Sequence, residues 1–336
     1  STTFHATGTI WSMSLYERNR KRIVCRILTP WSTCLKPLMA SNSQGRTSLY
    51  YNFAELRPVS ELAYTILMSV YHGTSFSELS ECLSSLVAQT LSPDQVLIVQ
   101  DGPVDDDLKD CIKRFAEQLP IKNLVFEQNC GLGPALREGL LHCQTEFVAR
   151  VDSDDRSVPD RMRIQSLFLE EHSEISVVGA YMREWDHRGK HAKGFIRSVP
   201  TDSISIAKTS RWRNPVNHPT VMFRKSDVLE CGNYSDQPFF EDYLLWAKMI
   251  KMGKNLRNIP VVLVETLIDP GFFQRRAGFH YLLKEFSLAK ALADEQIFSR
   301  PQMLLFLTLR LPLRLLPTSP FTAIYQRLLR KPSIEL

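Results

Sequence analysis

The sequence predicts an α/β fold, a mostly parallel sheet flanked by helices. Short apolar runs of strand length alternate with stretches of helical apolar spacing, and carboxylates and glycines gather where those runs end. Size and composition agree. The 336 residues, 44% hydrophobic and 23% charged, suffice for one large α/β unit with appendages and exclude a disordered, collagen-like or disulfide-scaffold chain.

The alternation begins near Tyr64. Thr65–Val70 and Gln95–Gln100 read as buried strands, and between them Leu79, Leu83, Leu86 and Val87 recur at helical spacing behind a Ser75/Glu78 capping box. This is a βαβ unit. A helix over Asp106–Gln118, a strand at Leu124–Phe126, a helix entered through Pro134 and a strand over Glu146–Val151 continue it. Proline suits a first helical turn because its missing N–H would be unpaired there anyway. A helix ending at Glu171, a strand over Ile175–Arg183, a turn-like Asp186–Gly194 and a strand at Val221–Arg224 follow. A helix over Glu241–Met252, stopped by Gly253, and a strand over Ile259–Val264 complete the pattern.

Three segments follow: a basic, weakly ordered or separately docked extension over 1–62, the alternating domain over 63–290, and amphipathic C-terminal helices over 291–336. Residues 1–48 carry seven basic side chains against Glu17, residues 296–334 carry six against none, and the middle is acidic. Basic ends suit an anionic membrane surface. Nucleic acid is the poorer partner, because aromatic side chains are not interleaved with those charges. No run approaches the ~18 apolar residues of a membrane span, and the first ten residues do not read as a secretion signal. Met303–Leu316, interrupted by arginines and broken by Pro312, reads as helices lying on a bilayer or, equally, packed on the core. Seven widely spread cysteines without a C-x-x-C pair indicate neither a disulfide framework nor a zinc knuckle, and favour a reducing compartment.

Four motifs carry chemistry. In Arg150-Val-Asp152-Ser-Asp154-Asp155, three carboxylates crowd a strand end, which points to a shared divalent cation, with a solvated acidic loop as the alternative. Asp101-Gly102-Pro103 follows a strand directly, where a carboxylate reaches a ligand crevice or the dipeptide merely turns the chain. Asn129–Pro134 (NCGLGP) does not complete G-x-G-x-x-G, and no P-loop motif occurs, so nicotinamide and P-loop chemistry lose their signatures. Glu241-Asp242 opens a helix, favoured there by the dipole, and one of the pair can face the cleft as a general base.

In order, TILMSVY (65–71), VQDG (99–102), NCGLGPALREG (129–139), RVDSDD (150–155), PDR (159–161), HPTVMF (218–223) and Glu241-Asp242 resemble glycosyltransferase family 2. With Asn214–Pro219 and QRRAG (274–278), the set is similar to bacterial transferases that build O-antigen and capsule repeat units. The resemblance covers residues 63–290. It implies a GT-A fold and an inverting, metal-dependent hexosyltransferase using a UDP-sugar such as UDP-Gal, UDP-Glc or UDP-GalNAc. The acceptor it implies is a polyprenyl-diphosphate-linked glycan at the inner face of the cell membrane, with the enzyme cytoplasmic and peripheral. A free or protein-bound glycan acceptor and a non-catalytic sugar-nucleotide-binding protein are the alternatives. By the same resemblance, Asp101 contacts uracil, Asp152 the ribose, Asp154 the Mn²⁺ or Mg²⁺, and Asp242 acts as base, while Val70 and Tyr71 line the nucleotide pocket. Arg275 and Arg276 suit a diphosphate through charge-assisted bonds. His218 fits either a structural or an acceptor-side role, and His187 and His191 lie in too turn-like a segment for a zinc site.

Overall fold

A computed structural model of the protein describes residues 12–14, 37–41, 47–51, 62–186, 194–268, 276, 278–315 and 331–332. The chain divides into two units, residues 1–60 with 334–336, and residues 61–333. In the first, strands β1 (Ser12–Ser14), β2 (Pro37–Ser41) and β3 (Thr47–Tyr51) pair antiparallel in the order β1-β3-β2. The basic residues expected to mark this extension, together with Arg275, Arg327, Arg330, His187 and His191, lie outside the described residues.

The second unit opens with β4 (Tyr64–Val70), α1 (Phe76–Val87), β5 (Gln95–Gln100), α2 (Asp106–Phe115) and β6 (Ile121–Val125). All six side chains of β5 and all but one of β4 are buried, the near-continuous apolar run of parallel strands covered on both faces. Then come α3 (Leu132–His142), β7 (Phe147–Arg150), β8 (Asp155–Ser157), α4 (Arg161–Glu171), β9 (Ile175–Asp186) and β10 (Gly194–Arg197). The chain continues through α5 (Ser203–Ser210), a 3₁₀ turn at His218–Thr220, β11 (Met222–Arg224), α6 (Lys225–Glu230), α7 (Glu241–Lys251) and β12 (Asn255–Ile268). It ends in α8 (Gly278–Asp294), α9 (Arg300–Leu315) and β13 (Lys331–Pro332).

The sheet order is β13-β10-β9-β11-β7-β4-β5-β6, with β12 pairing β8 and β9. From β4 the chain steps outward through β5 and β6, then returns to place β7 on the other flank of β4, and the β4–β7 pairing is parallel. That reversal opens a crevice at the carboxyl ends of β4 and β7, where ligands bind in open α/β sheets. The fourteen-residue β12 runs parallel to β9 and antiparallel to β8, in register Thr266 to Asp155 and Val264 to Ser157. It thereby staples the chain just past Asp154.

Local expectations fail in three places. Ser75 is the N-cap of α1, but its hydroxyl makes no capping bond and meets Ser77 Oγ at 2.9 Å instead. Pro312 does not end α9, which runs on to Leu315. The boundary drawn at 290/291 falls inside α8, and the C-terminal helices belong to the same compact unit, with Phe298 and Phe306 packed against Tyr243, Leu244, Leu288 and Leu292.

Gly139 sets how closely α3 approaches the sheet. A Cβ there would lie 2.6 Å from Leu67 Cδ1 and 2.7 Å from Val99 Cγ2, both in fully buried side chains. Alanine gains up to about 1 kcal/mol of helix propensity over glycine, whereas overpacking costs about 1–3 kcal/mol. Gly139→Ala is therefore expected to lower the urea unfolding midpoint, and a raised midpoint would show that α3 can shift away.

Candidate active site

β7 ends at Arg150, and the next turn presents Asp152, Asp154 and Asp155, whose carboxylate oxygens all lie within 4.8 Å of one another. Arg161 is fully buried and locks this strand end. Its Nη2 donates to the carbonyls of Arg150 (2.7 Å) and Val221 (3.3 Å), Nη1 to Ser157 Oγ (3.1 Å) and Nε to Gln165 Oε1 (3.0 Å). Arg150 is also buried. It pairs with Asp152, while its Nε and Nη1 have no hydrogen-bond partner among the described residues.

Asp155 is buried and its carboxyl is pushed well above the usual range, by burial first and then by Asp152 and Asp154, with Thr266 opposing through a hydrogen bond. Asp154 is solvent-accessible, yet the surrounding protein thins its hydration and, with Asp152, raises it to about 6. Too much negative charge is gathered for Arg150 to balance. All-oxygen donors, an accessible carboxylate and this charge excess fit Mg²⁺ or Mn²⁺, with Asp154 to hold it.

A cation must displace the protons that these raised groups bind. At pH 5.5 Asp154 is largely protonated, and at pH 7.5 it is charged. Mn²⁺ affinity measured by calorimetry is expected to weaken by about fourfold between the two; equal affinities would place the ion elsewhere.

A second acidic pair opens α7. Glu241 and Asp242 are both buried. Asp242 Oδ2 accepts a hydrogen bond from Asn214 Nδ2 at 2.5 Å and Oδ1 accepts the Tyr243 amide at 2.7 Å. Burial raises the Asp242 carboxyl and these two donors hold it down, whereas burial and the neighbouring Asp242 push Glu241 up to about 7. His218 Nε2 lies 3.0 Å from Tyr234 Oη, and burial and then Arg150 drive the imidazole well below its ordinary pKa, so it is neutral at pH 7. Both acidic groups line one cavity of about 770 Å³, with Arg150, His218, Arg276, Arg310 and Arg314 also in its lining.

Not every expected residue is there. Val70 is fully buried, so its side chain belongs to the core and only its carbonyl is engaged, by the Asp101 amide at 2.8 Å. Tyr71 is 45% exposed beyond the end of β4, outside the cavity lining. Asp101 also lies outside it: its two oxygens accept the backbone amides of Cys130 (2.6 Å) and Gly131 (2.9 Å), tying down the loop that opens α3. Gly102 has φ +86°, and a Cβ would stand 2.7 Å from the Asn129 nitrogen, so this turn needs glycine. Arg310 and Arg314, expected to meet lipid headgroups, instead hydrogen-bond buried Glu285. Sequence reasoning gave no role to Asn214, Arg161 or Glu285; the first two stood only as motif members.

A switch-point crevice holding a carboxylate cluster after β7 and an acid pair at a helix start defines the class, a GT-A glycosyltransferase. The pattern of glycosyl transferase family 2 matches residues 65–232, and the chain belongs to that family. It is similar to the amylovoran biosynthesis glycosyltransferase AmsE of Erwinia amylovora, 34% identical over 79% of this chain and 98% of that protein. It is 33% identical to the Escherichia coli UDP-Gal:alpha-D-GlcNAc-diphosphoundecaprenol beta-1,3-galactosyltransferase, over 80% of this chain and 97% of that one. The crystal structure of S. aureus TarS in complex with UDP-GlcNAc superposes with TM-score 0.55 at 17% identity, over 79% of this chain and 73% of that one, a likeness of fold.

Proposed function

We propose that the chain is an inverting, metal-dependent glycosyltransferase of bacterial surface polysaccharide synthesis. It moves a sugar from a UDP-sugar to a lipid-diphosphate-linked glycan. The observation that carries this reading is the meeting of two acidic groups in one cavity, the crowded Asp152/Asp154/Asp155 and the buried Glu241/Asp242. Asp242 takes the proton of the acceptor hydroxyl, whose oxygen bonds to the anomeric carbon as the bond to the diphosphate breaks, inverting that centre. Asn214 and the Tyr243 amide favour the charged carboxylate this requires. A divalent cation held by Asp154 would supply Lewis-acid stabilisation of the leaving diphosphate. Asp152 meets the ribose, a role its fixing by Arg150 supports. Asp101 contributes to nucleotide binding by holding the Cys130–Gly131 loop.

The acceptor class rests on the galactosyltransferase relative, which acts on a diphosphoundecaprenol-linked sugar, and on the surface of α9. Its exposed side chains include Leu304, Leu305, Leu309, Leu311 and Leu315, with no acidic residue on the helix. No helix among the described residues is long and apolar enough to cross a membrane. Such a face supports peripheral docking through leucines, at the cytoplasmic side where nucleotide sugars are made.

The test is a screen of UDP-sugars for UDP release, with and without Mn²⁺, using a synthetic GlcNAc-diphosphate-lipid acceptor. Release that depends on metal and acceptor with one donor is expected. Release with none of them, by folded protein, would overturn the reading.

A further inference from the structure

The cavity carries a basic wall as well as an acidic one, built where α8 meets α9. Glu285 of α8 is 2% exposed and accepts three hydrogen bonds from two arginines of α9. Arg310 Nε donates to Oε1 (3.0 Å), Arg314 Nη2 to the same oxygen (2.7 Å), and Arg314 Nε to Oε2 (3.0 Å). Each guanidinium is also stacked: Arg310 lies 3.6 Å from the Phe306 ring centroid and Arg314 4.4 Å from that of Tyr281. Backbone carbonyls complete the clamp, Trp212 for Arg310 and Arg276 for Arg314 at 2.7 Å.

A structural ion pair needs one arginine, and this one has two. Taking charged groups out of water is costly unless the arrangement does something with them. Both arginines, Glu285 and Arg276 line the same cavity as Asp154 and Asp242. Arg310 uses Nε and one terminal nitrogen, and its Nη1 makes no hydrogen bond among the described residues. Planar guanidiniums fixed by aromatic faces are suited to paired phosphate oxygens.

The location tells which phosphate. Arg310 stacks on Phe306, which shares one core cluster with Tyr243, the residue next to Asp242, so the basic wall reaches the neighbourhood of the proposed base, where the acceptor enters. The same two helices expose apolar side chains, Phe279, Leu283 and Phe286 on α8 and Leu309, Leu311 and Leu315 on α9. A phosphate group followed by a hydrocarbon chain matches that sequence of surfaces.

We propose that Arg310 and Arg314, oriented by Glu285, bind the diphosphate of the lipid-linked acceptor. This deepens the reading above and rests on it. α8 and α9 then form part of the substrate site, and the two arginines are lost to headgroup binding because they are committed to the acceptor.

The experiment is calorimetric binding of two synthetic compounds, GlcNAc-diphosphate-undecyl and GlcNAc-undecyl, to the full chain, with UDP titrated in parallel. Binding is read without turnover, so failure of sugar transfer and failure of this site remain separate results. The wild type is expected to bind the diphosphate compound about tenfold or more tightly than its phosphate-free partner. The Arg310→Gln/Arg314→Gln double variant is expected to erase that difference while UDP affinity changes by less than about twofold. Should that variant fail to fold, Arg310→Lys, which keeps the charge and loses the planar fork, is expected to cut the preference several-fold. Equal wild-type affinities for the two compounds, or a preference that survives the substitutions, would overturn the proposal. So would loss of UDP binding with acceptor binding intact, which would assign the arginines to the donor.

Discussion

Asp242→Asn is expected to lower turnover by about 10²–10⁴-fold, about 3–5 kcal/mol of barrier, with UDP-sugar affinity nearly unchanged. The asparagine keeps the volume and removes the negative charge, along with one of the two hydrogen-bond acceptors. Two adjacent acids compete for this role. Successive helical residues point about 100° apart, so both cannot meet one hydroxyl. Burial does not choose, since Glu241 and Asp242 are both buried. Hydrogen bonding does: Asn214 and the Tyr243 amide stabilise charge on Asp242, while burial and Asp242 push Glu241 up to about 7. Near neutrality Asp242 is thus the member that holds the negative charge. The pair titrates together, and a base with a raised pKa is protonated at low pH, so kcat should rise with pH through the pair's apparent value. Glu241→Gln is expected to retain substantial turnover. Near-wild-type turnover in Asp242→Asn with loss in Glu241→Gln would exchange the roles.

The fold was legible wherever burial alone shapes the pattern. Gln95–Gln100 is read to the residue because a central parallel strand buries both faces, leaving an apolar run bounded by polar ends. The elements β10, α5 and α6 are not legible, being short and partly exposed, with little periodicity to betray them. Asp152 and Asp154 stood out because carboxylates crowded at a strand end repel one another, whereas Asp242, in a helix first turn that favours acids anyway, stood out by its family motif. Their partners did not. Asn214 reaches Asp242 across 28 residues of sequence, and Glu285 reaches Arg310 and Arg314 across 25 and 29, contacts that only tertiary packing creates. Asp101 shows the converse: it follows β5 as the sequence reads, but its oxygens serve the Cys130–Gly131 loop. Val70 closes a strand buried on both faces, so its side chain lies in the core whichever way it points.

Asp154→Ala is expected to abolish metal-dependent transfer while leaving the protein at least as stable. The three carboxylates after β7 have unequal freedom. Asp152 is paired with Arg150, and Asp155 is buried, hydrogen-bonded to Thr266 and clamped by the β8–β12 pairing. Asp154 is the most exposed of the three and, unlike Asp152, forms no ion pair with Arg150, so it is the oxygen donor a cation reaches most readily. Losing Lewis-acid stabilisation of the leaving diphosphate is worth several kcal/mol, about 10²–10⁴-fold in rate. Stability moves the other way. Asp154 is held above its ordinary pKa by its surroundings, so at pH 7 its charge is less favourable in the folded chain than in the unfolded one, and removing it relieves that strain. The measurement pairs UDP-release kinetics with thermal unfolding at pH 7, with EDTA or with Mn²⁺. Wild-type protein should lose activity in EDTA, regain it with Mn²⁺ and melt at higher temperature with the metal bound. Asp154→Ala should show neither the rescue nor the Mn²⁺-dependent shift, and should melt in EDTA at or above the wild-type temperature. Full activity of Asp154→Ala in EDTA would remove the metal from this site.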